Sequence, residues 1–240
     1  MNDQLYWRIA WVFRELVWGG DLIGEENLPE RGPGVFVANH LGALGPIAVT
    51  TSLPVRLYPW IHADMLDPQR APDYLRQDFV EPQLRISPPL SYPIAWVISK
   101  LHVPFLRSLG CIPVYQTPYA MQETFRISLE RLKASQFLLI FPEDAKRATD
   151  PRTRMSPFKK GFARLGELYF EQVQQSLSFY PVAVHPPSLT VRLGHPIRYN
   201  PLNNPFQEQL RITTYLEETI VEMYLQAEAG RIPPLPLSSQ

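Results

Sequence analysis

"GVFVANHLGALGPIAV", residues 34–49, decides how the rest of the chain is read. Val35 to Ala38 form the short apolar run of a buried strand, which stops at the pair Asn39-His40. A turn containing Gly42 and Gly45 then leads into a second apolar run. A buried strand that ends in this way delivers a histidine to the mouth of a site. A histidine used as a base normally has a carboxylate to steady its ring, and the residues that follow His40 supply none.

Outward from this stretch, short apolar strands alternate with helical patterns. Strands are expected at 55–62, 111–115, 137–141, 179–184 and 189–194, with Pro59 restricting the first to a sheet edge. Helices are expected at 4–18, 122–134, 158–175 and 206–229, and a short apolar one ends before Pro104. This alternation predicts an α/β fold with a mostly parallel central sheet flanked by helices. In such sheets the ligand crevice lies beyond the C-terminal strand ends, where His40 and Glu143 both fall. The organisation read from the chain is an N-terminal amphipathic helix over 1–20 and one domain over 21–230. A Pro-rich inserted loop is expected at 64–93 and a disordered tail at 231–240.

The 23 basic and 23 acidic residues cancel, so net charge points to no nucleic-acid partner. The single cysteine, Cys111, permits no internal disulfide, fits a reducing compartment, and reads as a small buried hydrophobe in "LGCIPV". His62, His102, His185 and His195 have no carboxylate or cysteine at ligand spacing, so no metal site is expected. His185, just past the strand "PVAV", is a weaker candidate for the crevice border. There is no Gly-x-Ser-x-Gly elbow and no dinucleotide fingerprint.

No secretory signal or spanning segment is read in the sequence, because Arg8, Arg14 and Glu15 interrupt the apolar start. On the first helix, Leu5, Ile9, Val12, Phe13 and Leu16 share one side and Trp7, Trp11 and Trp18 the opposite one. The aliphatic side is expected to pack on the domain. The tryptophans, flanked by Arg8, Arg14 and Glu15, suit either the headgroup layer of a membrane or a second protein surface.

Four blocks in order resemble the glycerol-3-phosphate and lysophosphatidic acid acyltransferase family: "GEENLPERGPGVFVANHLGALGP", "LGCIPVYQ", "FLLIFPEDAKR", and "FKKGFARL" with "FYPVAV". The resemblance runs from about residue 24 to 200 and implies a glycerolipid acyltransferase-like fold. It also implies acyl transfer from a thioester, on acyl-CoA or acyl carrier protein, to the hydroxyl of a lysophospholipid or related lipid acceptor. No further cofactor is implied. The protein would work as a peripheral enzyme at the cytoplasmic membrane face.

Carried over by position, His40 is the general base. Asn39, Gln116, Phe141, Pro142, Glu143, Asp144, Lys146, Lys159, Lys160 and Gly161 form the substrate-binding set. Three departures stand out. The family's aspartate, five residues after the histidine, is Gly45. Its acidic-arginine pair is Tyr115 and Gln116, and Phe-Pro-Glu is followed by Asp144, Ala145 and Lys146 in place of glycine, threonine and arginine. Asp64, Asp144, Glu143 or a backbone carbonyl are the candidates left to orient the ring. Residues 146–164 hold seven Lys/Arg against one Asp, a basic stretch able to meet phosphate groups. The alternative is a catalytically inactive homologue that binds lipid or a partner in the same crevice.

Overall fold

The computed structural model describes residues 2–42 and 44–230; the tail at 231–240, read above as disordered, lies outside the described residues. At its centre are β2 (Gly34–Ala38) and β5 (Phe137–Ile140), buried at every position. Runs apolar on both faces need cover on both faces, and they receive it. Val35, Val37, Leu138 and Ile140 enter a core with α5 (Pro118–Lys133), α6 (Arg164–Val173) and α7 (Pro205–Gly230). Phe36, Ala38, Phe137 and Leu139 enter another with α2 (Leu44–Ser52). The result is three layers with the sheet in the middle.

Among the described residues the sheet runs β1-β7-β6-β2-β5-β3-β4. Here β1 is Asp21–Ile23, β3 Leu57–His62, β4 Ile112–Val114, β6 Ser178–His185 and β7 Thr190–Leu193. A short β8 (Ile197–Arg198) pairs with β6. From β6 to β4 all pairs are parallel, and only β7 and β8 run antiparallel to β6. The α/β class and the mostly parallel sheet expected from the sequence are therefore present.

Several local expectations change. The strand containing Pro59 lies inside the sheet, between β5 and β4. It tolerates proline because β4 pairs only from Trp60 onward, so on that side no ladder donor is needed at Pro59. Residues 64–93 are largely helical. Within them α3 (Ala71–Leu75) and a π-turn over Arg76–Val80 bury Leu75 and Val80 against Ala95 of α4 (Ser91–Leu109). That helix also continues through Pro104, ending where Gly110 takes a left-handed φ of 84°.

The first helix, α1 (Asp3–Leu16), starts at an Asn2 cap that accepts the Leu5 N–H at 2.9 Å. Its packing differs from expectation. Tyr6 and Ala10 are the buried residues, the Tyr6 hydroxyl accepts the Leu57 N–H, and Phe13 meets Phe105 of α4 at 6.3 Å. Leu5, Val12 and Leu16, expected to pack on the domain, point outward. Trp18 corrects the opposite expectation: it lies past the end of the helix, is 1% exposed, and donates from Nε1 to Ser52 Oγ at 3.1 Å. Once the chain leaves the helix, helical periodicity no longer sets where a side chain points, and Trp18 joins the core under α2. Trp7 and Trp11 remain exposed.

Candidate active site

The two central strands set the site. Their register pairs Val37 with Ile140, and three residues further along each chain His40 comes opposite Glu143. The two are joined directly: the His40 backbone N–H donates to Glu143 Oε1 at 2.5 Å. The other carboxylate oxygen, Oε2, accepts the Ser156 N–H at 2.8 Å. Glu143 also forms an isolated bridge with Phe158, so the basic loop folds back beside the strand end. Burial pushes the Glu143 carboxyl up, the two backbone donors pull it down, and the neighbouring Glu217 carboxylate adds to the upward push. Glu143 is thus the clamp that holds the histidine turn to the loop at 146–158.

The His40 side chain sits edge-on to Phe141, with ring centroids 5.3 Å apart. The residue is exposed at its rim, yet the ring is shielded enough that desolvation lowers its pKa below the ordinary imidazole value. Among the described residues no hydrogen bond to either ring nitrogen is formed, so Asp64, Asp144 and Glu143 do not orient it. Asp64 lies beside His62 and Arg70, and Asp144 beside Lys159. The position of the missing aspartate is close at hand: a Cβ on Gly45 would lie 3.8 Å from His40 Cα and 3.7 Å from the Phe141 ring.

Asn39, expected in the substrate-binding set, is completely buried and faces away from the crevice. Its amide donates to the Val184 carbonyl at 3.0 Å and accepts the Val184 N–H at 2.7 Å. This pair ties β2 to β6 just beneath the histidine. Asn39→Ala leaves two buried backbone groups without partners and is expected to cost about 2–4 kcal/mol. Urea unfolding measures this, and a loss below about 1 kcal/mol would show that the tie is dispensable.

The remaining expected residues divide by location. Pro142 is buried and its carbonyl accepts the Lys159 N–H at 2.9 Å. Asp144 accepts the Lys146 N–H at 3.3 Å and pairs with Lys159 Nζ at 3.4 Å, interactions that hold its carboxyl below the usual range. Lys146 is exposed, and Lys160 lies over the Phe206 ring. Gly161 is exposed, and a Cβ added there would meet open space. Gln116 follows β4, three strand spacings from β2, or about 14 Å across the sheet. It is not brought together with His40.

His185 turns away from the crevice. It is fully buried against α7, between Glu228 Oε2 and Ser188 Oγ, each at 2.6 Å. Burial lifts the Cys111 thiol to about 12, as suits a small hydrophobe. Ser156, Val184 and Glu217 were missed in the sequence. The first two act through their backbones, which leave no signal in residue identity, and Glu217 looks like any acidic residue on an amphipathic helix.

The fold is shared with a lysophosphatidic acid acyltransferase. One matching crystal structure is that of the 1-acyl-sn-glycerophosphate (LPA) acyltransferase, PlsC, from Thermotoga maritima, with a TM-score of 0.54. The match covers 94% of this chain and 80% of that one at 15% identity. Similarity at that identity establishes the architecture, a mostly parallel sheet flanked by helices, and leaves the chemistry to the residues. No family model matches the sequence, and no curated protein matches it.

Proposed function

We propose that the protein transfers an acyl group from a thioester, acyl-CoA or acyl carrier protein, to the hydroxyl of a lysophospholipid or related glycerolipid acceptor. The observation that carries this reading is the placement of His40. It stands at the C-terminal rim of the central sheet, its backbone pinned by Glu143 and its ring left available. The lowered pKa keeps the imidazole neutral at pH 7, the form a base requires.

In the proposed reaction the neutral ring takes the proton of the acceptor hydroxyl as its oxygen attacks the thioester carbonyl carbon. A tetrahedral intermediate forms, the C–S bond breaks, and the leaving thiolate takes the proton back from the imidazolium. Glu143 is a positioning residue for this step. Lys146, Lys160 and the exposed arginines of the loop offer point charges for acceptor or donor phosphates, while Asp144 already neutralises Lys159. No helix among the described residues is long and apolar enough to cross a membrane. The reading is of peripheral attachment, with Trp7 and Trp11 as contacts and Trp18 withdrawn from that set.

The lack of a hydrogen bond to the His40 ring among the described residues favours a second reading, a homologue that binds lipid without turnover. The test separates the two. Purified protein with acyl-CoA and a panel of lysophospholipid acceptors is expected to release free thiol only when acceptor is present. Lipid-dependent protection of the crevice with no thiol release on any acceptor would select the binding reading.

A further inference from the structure

We infer that the outward face of α4 is a membrane-docking surface for a bilayer containing anionic lipid. This deepens the membrane part of the proposal above and does not depend on its chemistry.

The helix is built inside out. Ser91, Ala95, Ser99 and Val103 form its buried side, so mostly small residues face the protein. Its large residues face outward: Tyr92, Trp96, Val97 and Leu101 are all more than half exposed, Leu101 at 76%. At ~100° per residue these outward positions, with Lys100, span about half of the circumference. A helix apolar on both sides needs an apolar phase on its outer side as well. The Phe13 ring of α1 meets Phe105 of α4, and Leu5, Trp11, Val12 and Leu16 are exposed on α1.

The chemistry of this surface selects its occupant. Between Glu81 and Glu123 the sequence has no acidic residue, whereas Arg85, Lys100 and Arg107 are basic. Lys100 Nζ lies 4.8 Å from the Trp96 ring centroid, an ammonium and an indole side by side above aliphatic neighbours. Indole, phenol and ammonium groups bordering aliphatic side chains match the layered polarity of a bilayer interface, and the basic charge of α4, which carries no acidic residue, matches anionic headgroups.

The test is flotation of the full chain with vesicles of neutral lipid alone and of neutral lipid mixed with anionic lipid. The variant is Trp96→Ser/Val97→Ser/Leu101→Ser. It is expected to bind anionic vesicles about a hundredfold more weakly, through lost apolar burial. Lys100→Glu alone, which reverses one surface charge and removes only the ammonium–indole contact, is expected to weaken binding mainly to anionic vesicles. Circular dichroism and size-exclusion chromatography accompany each variant. Unchanged vesicle binding by a folded triple variant would overturn the inference. So would a wild-type dimer that the triple variant converts to monomer, since a second copy would then be the cover. Thiol release on a short-chain, monomeric acceptor is measured separately. If the wild type shows none but floats as expected, the catalytic reading fails and the docking surface stands.

Discussion

His40→Ala is expected to lower acceptor-dependent thiol release by about 10²–10⁴, the range for loss of a general base. The substitution removes a ring at the rim, and the backbone N–H that bonds Glu143 remains, so the turn should survive it. The acid limb of the wild-type profile gives a second, independent reading. A base works as neutral imidazole, and activity is lost as pH falls through the pKa of the ring. Desolvation lowers that pKa, so the midpoint should fall below the ordinary histidine value of about 6.5. Stopped-assay rates from about pH 4.5 to 8 measure it, and thiol release unchanged by His40→Ala would remove this residue from the mechanism.

Gly45→Asp should raise the rate on the order of 10²-fold. Changing the orienting aspartate of a serine-protease triad to asparagine costs about 10⁴ in turnover, and a carboxylate put back on a site adapted to glycine recovers part of such a loss. The position is suitable, because the new Cβ would stand beside His40 Cα and the Phe141 ring. It would also lie 3.2 Å from the Asn39 carbonyl oxygen, so the turn must shift by a few tenths of an ångström, at a cost of about 1 kcal/mol. The profile should move as well. A neighbouring carboxylate favours the imidazolium, raising the ring's pKa and carrying the acid limb to higher pH. Gly45→Ala is the control: it makes the same Cβ contact without the charge. It should reproduce the stability loss with neither the rate gain nor the pH shift. An equal gain from alanine, or none from aspartate, would mean that ring orientation does not limit this site.

The two results together bear on how the site is built. In this chain the Phe141 edge stands beside the histidine, desolvation lowers its pKa, and among the described residues no anion pairs with its ring. Such a site keeps the base neutral at low cost. In the proposed reaction it gives up stabilisation of the imidazolium formed as the hydroxyl attacks, and this is the quantity that Gly45→Asp is expected to restore.

Some of this was legible in the order of residues. Strands such as "VFVA" and "FLLI" announce themselves because a segment buried on both faces must be apolar throughout, and their spacing with amphipathic helices leaves a parallel sheet as the simple solution. That places His40 and Glu143 at strand ends without any coordinates. Helix α4 shows the limit of local rules. Its interior proline breaks a propensity rule, but packing of the helix on α3 and on Phe13 outweighs one missing hydrogen bond.

What the sequence determined by itself is the class of fold, the strand that carries the histidine and the absence of a carboxylate in the turn after it. Those features depend on neighbours along the chain. Only the tertiary structure decided that Glu143 clamps the histidine backbone across 103 positions, that Asn39 serves β6, and that Trp18 is core while α4 carries the exposed aromatic face. Each of these is a pairing between segments far apart in sequence. A side chain's partner there is fixed by strand register and helix docking, and periodicity carries no information about either.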